Sequence, residues 1–156
     1  MKISLTKDQD RRLIVLLRST YDAINRARKK ELHKYGISVS EFGVLFFIQA
    51  IGNKVTPADI SRWMFREHHS VSALLNRMEK RGLITKIKDL ERKNLVRVSI
   101  TEKGKQVYQK STKSNIYQRI LLSLSEEKRQ RLISYLNTLR NEALKELEID
   151  YKPPYP

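Results

Sequence analysis

Apolar residues recur at steps of three and four through the first part of the chain, where Leu13, Leu17, Tyr21, Ile24 and Ala27 share one helical face. Ile14, Val15 and Leu16 widen that face. The pattern predicts a helix over residues 7–34, roughly 40 Å long at 1.5 Å per residue, with more apolar surface than one partner can cover. Gly36 ends it, and Ser38-Val39-Ser40-Glu41 has the spacing of a capping box, so a second helix is expected from Ser40 to Ala50. Gly52-Asn53 breaks that one. Thr56-Pro57-Ala58-Asp59 then supplies a cap, a first-turn proline and an acid at the positive end of a short third helix, to about Trp63. Val71, Leu74, Leu75 and Met78 give a fourth helical face that closes at Arg81-Gly82.

Beyond Gly82 the period drops from 3.6 to 2. Val96, Val98 and Ile100 alternate with Leu95, Arg97 and Ser99, and residues 84–88 form the partner strand, so a β-hairpin is expected with the charged tip Asp89-Leu90-Glu91-Arg92-Lys93-Asn94. Thr101-Glu102-Lys103-Gly104 leads into one long helical stretch ending near Leu124. Ser125 caps a last helix whose face is Leu132, Leu136, Leu139, Ala143 and Leu147. The tail, residues 151–156, carries three prolines and is expected to be extended or disordered. There is no internal repeat and no low-complexity tract.

A chain of 156 residues suits one compact unit plus an oligomer contact. The charge changes that picture more than the size does. Of the net +15, residues 61–110 carry 13 basic and 5 acidic side chains, a net +8, whereas residues 121–156 carry 6 of each and are neutral. A surplus serving solubility would spread evenly, so one region is expected to face a polyanion and another to face protein. The longest early apolar run, Leu13 to Leu17, is too short for a signal-peptide core or a membrane span, which predicts a soluble protein. With no cysteine, neither a disulfide framework nor a thiolate metal site nor a redox-active thiol is available, in keeping with a reducing cytoplasm.

Helix, short turn, helix and hairpin is the order of a winged helix-turn-helix, whose second helix enters the major groove. Val71, Leu74, Leu75 and Met78 must face the core, leaving His69, Ser70, Ser72, Ala73, Asn76, Arg77 and Lys80 on the other faces. Small residues permit close approach, and Ser, Asn, His and Arg bond to base edges and phosphates. The plainer alternative for this helix is an ordinary solvated face. Arg92 and Lys93 have their own alternatives: a wet loop tip, or cations that follow the negative potential of a minor groove.

These segments together resemble the MarR family of regulators. Ser70-Val-Ser-Ala-Leu-Leu-Asn-Arg-Met-Glu-Lys-Arg-Gly-Leu-Ile84 is similar to that family's recognition helix and its exit into the wing. Asp89-Leu-Glu-Arg-Lys93 resembles the wing signature Asp-x-Asp-Arg-Arg, with Glu91 and Lys93 as conservative departures, and Thr101-Glu-Lys-Gly104 matches the wing's exit. The ordered likeness spans about residues 36 to 105. It implies a mainly α fold with a small β-hairpin: a winged helix-turn-helix DNA-binding domain over 37–104, an N-terminal dimerisation helix within 1–36, C-terminal dimerisation helices within 105–150, and a tail at 151–156. It also implies a repressor acting as a homodimer on a palindromic double-stranded operator, often released by a small aromatic or anionic effector, although the family includes activators. The branch that senses oxidants through cysteine is excluded here.

The resemblance places His68, His69, Ser70, Ser72, Asn76 and Arg77 on the recognition helix and Arg92 on the wing arginine, with Lys93 beside it. The paired histidines read bases, contact phosphate, lend pH sensitivity or do little. A metal site from His33, His68 and His69 is not expected, because adjacent helical residues diverge by about 100° and no ligand spacing supports them. Tyr21, Trp63, Phe65 and Tyr117 either line an effector cleft or belong to the core. Arg26, Arg28, Lys29 and Lys30 form either a solvated helix end or a secondary contact to flanking phosphates. No phosphate-cradling glycine loop and no Gly-x-Ser-x-Gly is present, so neither an enzyme nor a cofactor is expected. The remaining rival is a sequence-independent architectural or RNA-binding module, against which the recognition-helix match argues.

Overall fold

The computed structural model describes residues 7–52, 54–92, 94–113 and 115–150. The tail at 151–156, the chain's first six residues, Asn53 at the break, Lys93 of the wing and Ser114 lie outside the described residues. In chain order the elements are α1 (Lys7–His33), α2 (Val39–Ile51), α3 (Pro57–Met64), α4 (His68–Lys80), β1 (Ile84–Lys88), β2 (Val96–Ile100), α5 (Glu102–Lys113), α6 (Ile116–Leu121) and α7 (Glu126–Glu146).

Local chemistry explains most of these boundaries. The capping box read before α2 is made in full: Ser38 Oγ accepts from the Glu41 N–H and the Glu41 carboxylate accepts from the Ser38 N–H. Thr56 and Asp59 close a second box at the start of α3, with Pro57 in the first turn where its missing N–H leaves no gap. Phe65 ends α3 in the left-handed region, at φ 50°, a conformation that costs a non-glycine residue about 1 kcal/mol or more. It is held there by Ser61, whose carbonyl accepts from the Arg66 N–H at 3.0 Å and whose hydroxyl donates to the Arg66 carbonyl. That turn fixes the angle between α3 and α4.

The core lies between α2, α3, α4 and the hairpin, where Val44, Leu45, Ile48, Ile60, Leu75, Met78 and Val98 are almost wholly excluded from solvent. β1 and β2 pair antiparallel, with Ile84 opposite Ile100 and Lys86 opposite Val98. Val98 also donates to the Val55 carbonyl at 2.8 Å, which pins the base of the hairpin to the segment before α3. Gly104 permits the closest approach: a Cβ there would stand 2.1 Å from the Leu83 carbonyl oxygen, so α5 leaves the hairpin pressed against the entry to β1.

The stretch expected as one helix to Leu124 is in fact broken. α5 stops at Lys113, and Asn115, in extended conformation, caps α6 by accepting from the Tyr117 and Gln118 N–H groups. Apolar periodicity is blind to such a break, because a short polar side chain competes for backbone donors without disturbing the pattern.

Candidate nucleic-acid interface

α4 turns Val71, Leu74, Leu75 and Met78 into the core. His69, Ala73, Asn76 and Lys80, at steps of four, three and four, form the opposite stripe, and all are exposed. His68, Ser70, Ser72 and Arg77 are exposed beside it. Ala73, in the middle, keeps the stripe low enough for a second surface to approach the helix backbone. Each residue read from sequence as a contact on this helix is thus at its surface. Asn76 is the one with a described partner: its Oδ1 accepts from the ammonium of Lys86 on β1. Lys86 also meets Glu79 twice, through its backbone N–H to Oε1 at 3.1 Å and its ammonium to Oε2 at 3.1 Å. The hydrogen bond from Lys86 holds the Glu79 carboxyl below its usual range, so the pair stays charged.

The hairpin tip is organised by Asp89. Its Oδ1 accepts from the N–H groups of Glu91 and Arg92, at 2.9 and 3.1 Å, which is an Asx-type turn. Its Oδ2 accepts from Arg97 Nε at 2.7 Å, and Arg97 reaches on to the Lys54 carbonyl at 2.8 Å. The Arg97 bond, followed by the two backbone bonds, holds the Asp89 carboxyl below its ordinary value. Arg92 is left exposed on this hydrogen-bonded turn, next to Leu90, which is 97% exposed. In the sequence Asp89 stands out only within the wing signature, and its turn-forming role is signalled by an Asp followed two and three residues on by the tip. Arg97, Lys86 and Glu79 carried no signal beyond their charge.

A second cluster ties α1 to α2, α5 and α6. Arg28 on α1 is 2% exposed, so within the cluster of Arg26, Arg28, Lys29 and Lys30 it is neither a solvated helix end nor a phosphate contact. Its guanidinium lies 4.3 Å from the ring centroid of Phe42 on α2 and 5.1 Å from that of Tyr117 on α6, and bonds to Glu31 and the Ser111 carbonyl. Glu31 also accepts from the Ile116 N–H at 3.2 Å and from Arg119 at 3.3 Å. α1, α2, α5 and α6 therefore meet on one buried ion pair. A helical step pattern cannot reveal this, since Arg28 sits in a run of cations that sequence alone treats alike.

The four aromatic residues weighed for an effector cleft do not converge. Tyr117 belongs to the Arg28 cluster, where burial raises its phenol pKa against the lowering effect of Arg28, and Tyr21 is near enough to act on it electrostatically while remaining exposed. Trp63 packs on Phe47, ring centroids 5.2 Å apart, against the core. Phe65 lines a different cavity of about 550 Å³ with Arg62, His68, Leu147 and Ile149. Another of about 650 Å³ lies between α1 and α2, edged by Asn25, Lys29, His33 and Ile37. Among the described residues no group of three or more His, Cys, Asp or Glu side chains is placed to hold a metal, and no helix is long and apolar enough to cross a membrane.

A model of the MarR family matches residues 35–93, from just beyond α1 to the wing tip. Among solved structures, the organohalide sensing RdhR-CbdbA1625 transcriptional regulator is 30% identical, with 92% of this chain and 89% of that one covered at a TM-score of 0.77, in ligand-free and 2,4-dichlorophenol bound forms alike. S. aureus MepR in complex with DNA (20% identical, 83% and 96% covered, TM-score 0.75) and the transcriptional regulator SlyA (21% identical, 87% and 96% covered, TM-score 0.75) share the winged-helix fold. No curated protein matches significantly.

Proposed function

Because this chain belongs to the MarR family of transcriptional regulators, we propose that it binds an inverted-repeat operator in double-stranded DNA as a homodimer and represses transcription there. It does so in the cytoplasm and by binding alone, without catalysis. The observation that carries this reading is the juxtaposition of two exposed readers on one strongly basic segment: the α4 stripe through His69, Ala73 and Asn76, and the hydrogen-bonded turn that presents Arg92. The first is shaped for a major groove and the second for the minor groove beside it. His68, Ser70, Ser72 and Arg77 supply further base or phosphate contacts, and Lys93 joins Arg92.

The division of labour follows the distribution of exposed apolar groups. Residues 37–104 read DNA, while the helices within 1–36 and 105–150 dimerise through Leu13, Leu17, Leu132, Leu136 and Leu139, whose faces remain exposed in the single chain or, at Leu17, half-buried. A small aromatic or anionic effector is proposed to act at the junction between these parts; the similar organohalide sensing regulator has been captured with 2,4-dichlorophenol, a ligand of that chemical class. The test is selection of fragments from the source genome in excess competitor DNA, followed by affinity measurement on the recovered site. Recovery of inverted repeats with half-sites about one helical turn apart, bound by a dimer, supports the reading. Indifference to sequence would return the protein to the architectural class.

A further inference from the structure

Lys86 stands where β1 meets the outward face of α4. An ammonium has donors only, so an asparagine bonded to it must turn its amide oxygen inward and its NH2 group away. That is the situation of Asn76, whose Oδ1 accepts from Lys86 Nζ. The ammonium is not free to wander: it lies 3.1 Å from Glu79 Oε2, its own backbone N–H is held by Glu79 Oε1, and its side chain is only 25% exposed. Asn76 therefore shows the exposed stripe a fixed donor edge.

Asparagine pairs with adenine in the major groove by using both edges of its amide, the NH2 donating to N7 and the oxygen accepting from N6. With its oxygen turned toward the ammonium on β1, Asn76 offers the stripe only the NH2 half of that pair. The projecting NH2 instead suits guanine, whose N7 and O6 are adjacent acceptors. Resting on the reading of α4 as the recognition helix, we infer that Lys86 is a positioning residue which sets the base preference of Asn76, steering it from adenine to guanine in each half-site.

The experiment uses the full chain and a pool of inverted repeats randomised across each half-site, selected by wild type, Asn76→Ala, Lys86→Met and Lys86→Arg. Asn76→Ala identifies the base pair concerned, as the position whose preference flattens. There the wild type favours guanine over adenine by about tenfold, Lys86→Met moves the preference to adenine by a similar factor, and Lys86→Arg, still a pure donor, keeps guanine. Removing a cation also weakens binding to every sequence, so the ratio at one position is the readout rather than affinity. Glu79→Gln, which loosens the ammonium, shifts the ratio in the same direction and serves if Lys86→Met fails to fold. An adenine preference in wild type, a guanine preference that survives both Lys86→Met and Glu79→Gln, or an Asn76→Ala variant that flattens no position overturns the inference while leaving the operator reading intact. A wild type that selects no sequence overturns both.

Discussion

α4 and α7 are both amphipathic helices with a leucine-rich face, yet they end in opposite conditions. Leu74, Leu75 and Met78 of α4 are no more than 3% exposed, whereas Leu132, Leu136 and Leu139 of α7 are 37 to 45% exposed and Leu13 to Leu16 of α1 more so. The same periodicity thus serves a private core in one case and an unfinished surface in the other. Burying such side chains contributes about 1.5–3 kcal/mol each, so the end helices have a large stabilisation still to gain from a partner. The face of α4 has already gained its share.

The sharpest break in this comparison is Leu136→Glu. Two carboxylates buried per dimer, at about 3 kcal/mol or more each, would dissociate it, and sedimentation should then report the monomer mass with helix content kept. A dimer that survives would assign the exposed α7 face another purpose. Next is Glu31→Ala, which takes the carboxylate from the buried Arg28 guanidinium and should destabilise by about 3–5 kcal/mol in urea titration. Leu75→Ala opens a cavity in the finished core and should cost about 2–5 kcal/mol without changing the subunit count. The pair of outcomes distinguishes a core from an interface.

Smaller effects test the reading surface. Arg92→Ala should leave melting and dimerisation unchanged, because the side chain is exposed, while weakening operator binding by about 1–3 kcal/mol per lost contact, mainly at the flanks of the site. Unaltered flank preference would make Arg92 a solvated loop charge. The smallest effect is acid sensitivity of the wing tip. Since the Asp89 carboxyl is held below its ordinary value in the folded protein, it stabilises the turn above about pH 4 and ceases to do so as pH falls through its folded value. The Glu91 and Arg92 amide resonances should shift together in that range, and Asp89→Asn should abolish the shift.

Periodicity and capping chemistry are local, so the residues themselves determined the helices, the capping boxes at Ser38 and Thr56, the hairpin and the outward stripe of α4. The same locality explains what could not be read. Whether Arg28 sat in water or under two aromatic rings depended on where α2, α5 and α6 came to lie, and whether a leucine face was buried or left exposed depended on what stood opposite it. The break at Asn115 fell between these cases: its capping signal was local, but the Ile116 N–H it leaves facing α1 is bonded by Glu31, 85 residues earlier. Only the packed chain brings Lys86 to the amide of Asn76, because a strand and a helix become neighbours through the core they share. Spacing along a chain decides which face a residue occupies; the partner across that face is decided by tertiary structure.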